Sequence, residues 1–84
     1  MDEAELEQLV TRVIGCLIEV HRSLGPGFLE SVYHRAVEVE LEHQGIPFQT
    51  QKEIVLTYRG RDIGTHRLDL LVAGEVVVEE VQVV

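Results

Sequence analysis

Apolar positions in the first third of the chain recur with helical spacing. Leu6, Leu9, Val10, Val13, Ile14, Leu17, Ile18 and Leu24 make one wide apolar stripe over Glu3–Leu24. Gly25 supplies a C-terminal cap and Pro26 blocks continuation. A second helical pattern covers residues 28–43, with Leu29, Val32, Tyr33, Ala36, Val37 and Leu41 inward, and it ends at Gly45 ahead of Pro47. From there the period changes. Residues 48–60 alternate and then reach Gly60, a turn signal. Residues 61–74 form a second strand-like run that turns at Ala73-Gly74, and residues 75–84 form a third, rich in Val. The predicted order is helix, helix, strand, strand, strand, with two tight hairpins. That order implies an α+β fold: two N-terminal helices packed on a three-stranded, mainly antiparallel sheet.

The last run breaks the alternation. Val76–Val78 and residues 81–84 are apolar on both faces, the pattern of a strand covered on both sides and central in its sheet. Two helices and three strands do not supply that cover. The expectation is a second copy of the chain, in a homodimer or higher homo-oligomer, over the exposed edge or face.

Length and charge narrow the function. A chain of 84 residues makes one domain; at this size about 60–65% of the unfolded surface is buried, so the core is thin. No stretch approaches the roughly 18 consecutive apolar residues of a membrane helix. The start, MDEAELEQL, is acidic where a secretory leader is basic. With the lone Cys16 unable to form an internal disulfide, these features point to a reducing, cytoplasmic setting. The net charge of −8, with seven scattered basic residues, argues against nucleic-acid binding by this chain alone. A divalent ion bridging to a phosphate escapes that objection by supplying positive charge locally.

Three acids stand out, each with a plainer alternative. Glu30 opens the second helix, where a first-turn acid gains up to about 1 kcal/mol from the helix dipole. Asp69 lies in a strand, where Asp is disfavoured, and either faces water beside Arg67 or serves a site. Glu79 shares a strand face with Val77, Val81 and Val83; such a carboxylate is either exposed on an edge strand or needs a partner or metal. Glu19, late in the first helix, is less well placed for the dipole and is read as water-facing. The four histidines have no zinc spacing, and His21 is read as structural. Cys16 reads as a small core residue, and Arg59 and Arg61 as a solvated hairpin tip.

Gly27-Phe28-Leu29-Glu30-Ser31-Val32-Tyr33 matches the G-x-x-E-x-x-Y signature, and the chain resembles the GxxExxY proteins. The preceding IEVHRSLGPG (18–27) and the later HRLDLLVAGEVVVE (66–79) are similar to that family's other blocks, in order. The likeness covers nearly the whole chain from Val10. That family is similar to the PD-(D/E)xK nuclease-like superfamily, a restriction-endonuclease-like core whose acids hold Mg²⁺ for phosphodiester cleavage. The resemblance implies Mg²⁺, with Mn²⁺ as a substitute, on Glu30, Asp69 and Glu79, and nucleic acid as the corresponding substrate. Carboxylate oxygens suit this hard ion.

Two departures follow. The family's E-x-K lysine falls on Val81, which neither orients a water nor stabilises charge; losing one such group costs about 10²–10³ in rate. A register shifted by one offers Glu80-x-Gln82, whose amide hydrogen-bonds a water, on the opposite strand face. The family also continues past this strand with a further helix and strand. The expectation is therefore a truncated, degenerate nuclease-like domain, catalytically weak or inactive, acting as a dimeric structural or interaction module with a residual Mg²⁺ site. The alternative is an active Mg²⁺-dependent nuclease in which Gln82 or a partner-chain group replaces the lysine.

Overall fold

The computed structural model describes residues 1–79, so Glu80, Val81 and Gln82 lie outside the described residues. Helix α1 spans Glu3–Leu24. Asp2 caps it by accepting a hydrogen bond from the Glu5 amide at 2.8 Å. Gly25 ends it at φ 73°, a backbone region that side chains disfavour, and its N–H donates to the His21 carbonyl at 2.9 Å.

Helix α2 spans Glu30–His43, two residues shorter at its start than the sequence pattern. The reason lies in the loop. The Phe28 amide donates to the Tyr33 hydroxyl at 3.2 Å, and that hydroxyl donates in turn to the Gly25 carbonyl. With its amide held this way and Leu29 extended (φ −65°, ψ 151°), Phe28 stays out of the helix. Tyr33 is fully buried and Phe28 meets its ring edge-on at 6.1 Å between centroids. The tyrosine of the signature thus fastens the Gly-Pro-Gly turn to the helix behind it. Tyr33→Phe keeps the ring and removes both bonds; a loss of about 1–2 kcal/mol is expected in urea unfolding. A loss below about 0.5 kcal/mol would mean that the loop holds itself.

The strands β1 (Phe48–Tyr58), β2 (Arg61–Val72) and β3 (Val76–Val78) form one antiparallel sheet in the order β1-β2-β3. Arg59 and Gly60, both with positive φ, make the two-residue turn between β1 and β2. Register is kept from Phe48↔Val72 to Leu56↔Gly64, then shifts by one at Thr57↔Asp62, leaving Ile63 as a bulge. Asp62 Oδ1 secures the bulge by accepting from the Gly64 amide at 3.0 Å.

The core lies between helices and sheet. Leu9, Val13, Cys16 and Val20 of α1 meet Tyr33, Val37 and Leu41 of α2, with Ile46, Leu70, Val72 and Val78 below. This confirms the α+β layout and corrects parts of the inward faces. In α1 the buried line runs through Cys16 and Val20, while Ile14 and Ile18 are 49% and 57% exposed. At the start of α2, Val32 and the preceding Leu29 are exposed. A stripe this wide exceeds what one neighbouring helix covers, so packing selects an arc within it. The described part of the last strand is also an edge, pairing with β2 through Leu70↔Val78, with Val78 buried and Val77 exposed. A central position is not what these residues adopt. Among the described residues, no helix is long and apolar enough to cross a membrane.

Candidate functional site

Glu30 begins α2, and residues four and eight positions on lie on the same helix face. His34 and Glu38 occupy those positions, and Glu30, His34 and Glu38 all line a cleft of roughly 640 Å³. Thr50 and Gln51 of β1 and Asp69 of β2 close its other side. Asp69 is half-buried, between the buried Leu68 and Leu70. Glu30 and Asp69, far apart in sequence, therefore open into one space.

Charge within the cleft is partly balanced. Glu38 is shared: one oxygen lies 3.2 Å from His34 Nε2 and the other accepts from Arg35 Nη1 at 3.2 Å. The His34 and Glu38 side chains are 17% and 18% exposed, so this pairing is screened less than a fully exposed one. Glu30 and Asp69 are the other two carboxylates that line the cleft.

Glu79 sits elsewhere. It is exposed just past β3, with its carboxylate 3.0 Å from His66 Nε2. The ladder ends at Leu70↔Val78; one more rung would set Glu79 opposite Asp69 on the same sheet face. Among the described residues, no group of three His, Cys, Asp or Glu side chains is arranged to hold a metal. Gln82 lies outside the described residues.

The other singled-out residues take structural places. His21 packs its ring 5.2 Å from that of Tyr33, and its enclosed Nε2 has no hydrogen-bond partner among the described residues. Glu19 accepts from the Ser23 hydroxyl at 3.1 Å and is exposed. Cys16 is in the core, where burial pushes its thiol above the ordinary range; the Glu40 carboxylate adds to that and the Arg12 guanidinium opposes it. Arg59 lies at the hairpin tip, 5.9 Å from the Tyr58 ring centroid.

Sequence reasoning passed over His34, Glu38 and Gln51. The four-residue spacing of Glu30, His34 and Glu38 was a readable signal for a shared helix face. Nothing in the sequence marks Gln51, because its place in the cleft depends on how β1 pairs with β2.

The donor chemistry fits a hard divalent ion: Mg²⁺ takes one or two carboxylates and completes its shell with waters and phosphate oxygens. Glu30 and Asp69 are the residues that would hold it. Neither a curated protein nor a solved structure matches the chain. The family model described as the PD-(D/E)XK nuclease superfamily matches residues 7–83. With the α+β core in the expected order and that match across nearly its whole length, the chain belongs to the PD-(D/E)XK nuclease superfamily.

Proposed function

We propose that this is a degenerate nuclease-like domain of the GxxExxY type, catalytically weak or inactive, acting as a dimeric interaction module. Its cleft takes a divalent ion, Mg²⁺ or Mn²⁺, on Glu30 and Asp69, and through the ion a phosphate group. Glu79, tied to His66, contributes less. The observation that carries this reading is the convergence of Glu30 and Asp69 on one cleft in a chain whose position 81 is valine.

An ion held there supplies positive charge beside a phosphate and makes water more acidic. The chain's own part is to hold and orient. Valine at position 81 neither accepts a proton nor hydrogen-bonds a water, which costs about 10²–10³ in rate. Plasmid or single-stranded DNA incubated with the protein and Mg²⁺ or Mn²⁺ should therefore be cleaved weakly or not at all, and Val81→Lys should raise cleavage by about tenfold or more. Efficient wild-type cleavage that disappears in Asp69→Ala would sink this reading. It would establish the second one, an active Mg²⁺-dependent nuclease with Gln82 or a partner-chain group in the lysine's role. The same two carboxylates support that alternative.

Support for the dimer comes from the outer part of the β1–β2 hairpin. Residues 55–67 are all exposed, and they include Val55, Leu56, Tyr58 and Ile63. Apolar side chains on a free hairpin seek cover. Light scattering after size exclusion should give twice the chain mass at micromolar concentration; a clean monomer defeats the dimer.

A further inference from the structure

Three non-glycine residues have positive φ among the described residues: Gln51, Arg59 and Ala73. Arg59 and Ala73 occupy hairpin turns, where the left-handed conformation is ordinary. Gln51 is inside β1, at φ 53°. Glutamine has no special tolerance for that region, and strained backbone inside a regular element tends to collect at functional sites.

The strain has a local consequence. Thr50↔Leu70 and Lys52↔Leu68 pair normally, but the rung between them, which would join Gln51 to Asp69, is absent from the register. Successive strand residues ordinarily face opposite sides. Here Thr50 and Gln51 both line the cleft that holds Glu30 and Asp69. A regular rung would set Gln51 directly opposite Asp69, on that residue's face of the sheet; the irregularity adds a strained backbone and an opened ladder at this edge of the cleft.

We propose that Gln51 is a ligand-positioning residue of this cleft. Its side-chain amide donates a hydrogen bond to a phosphate oxygen of a nucleic-acid phosphodiester seated at Glu30 and Asp69. The proposal rests on the divalent-ion and phosphate reading given above. An uncharged donor suits the place: it adds no negative charge beside two carboxylates.

Glycine adopts the left-handed region freely, so Gln51→Gly removes the amide while keeping the backbone that the site needs. Asparagine keeps an amide and also tolerates that region. Three measurements decide the matter: Mn²⁺ binding by calorimetry, binding of a labelled single-stranded oligonucleotide in Ca²⁺ at low salt, and thermal melting. Gln51→Gly should weaken oligonucleotide binding about tenfold to a hundredfold, the effect of one hydrogen bond to a charged group. Its Mn²⁺ affinity should stay within about threefold of wild type, and its melting temperature should be no lower. Gln51→Asn should retain most of the oligonucleotide binding. Unchanged oligonucleotide binding in Gln51→Gly overturns the proposal and leaves the metal-cleft reading standing. A melting temperature lower by several degrees also overturns it, by making Gln51 a structural residue. A wild-type protein that binds neither Mn²⁺ nor oligonucleotide overturns both.

Discussion

Truncating Leu70 to alanine is expected to cost about 2–5 kcal/mol, measured by urea unfolding followed by circular dichroism. Leu70 is fully buried on the helix-facing side of β2, flanked by Thr50 and Val78 across the ladders and joined in the core by α1 and α2 residues. A chain of this length has a total stability of about 4–13 kcal/mol at the usual value per residue, so the loss would unfold a large share of molecules at physiological temperature. Leu29→Ala is the matched control. Leu29 is 75% exposed, and its truncation is expected to stay within about 0.5 kcal/mol. A cost below about 1 kcal/mol at Leu70 would show that the sheet and helices do not share one cooperative core.

The second large effect concerns the ion proposed for the cleft. Asp69→Asn and Glu30→Gln each keep the side chain's shape and remove one charged oxygen donor. Each is expected to weaken Mn²⁺ binding by about tenfold or more in calorimetric or paramagnetic titration, because a hard ion held by two carboxylates depends on both charges. Glu79→Gln should change it by less than about threefold, since that carboxylate lies against His66, outside the cleft. Loss of binding in Glu79→Gln as large as in Asp69→Asn would mean that the terminal acid leaves His66 and completes a three-carboxylate site. Mn²⁺ binding untouched in both Asp69→Asn and Glu30→Gln would remove the cleft from consideration altogether.

The elements themselves were readable because their signals are local. Gly25 and Pro26 stop α1, Gly60 marks a tight turn, and the change from helical to alternating period separates the helices from the hairpins. Family blocks pointed to Glu30 and Asp69, and the fold does bring these two into one cleft. The inward face of α1 was less readable. A stripe containing both Ile14 and Val13 fits two orientations of the helix, and contact with α2 selects Val13, Cys16 and Val20.

Sequence alone determined the order of elements, the α+β class, the acidic surface and the residue types able to hold a hard ion. Each follows from backbone preferences or from chemistry carried by single side chains. The tertiary structure decided the rest. It made Tyr33 the fastening of the Gly-Pro-Gly turn, tied Glu79 to His66, and set Gln51, with its positive φ, against the cleft. These outcomes depend on which distant segments meet, and local sequence carries no record of that.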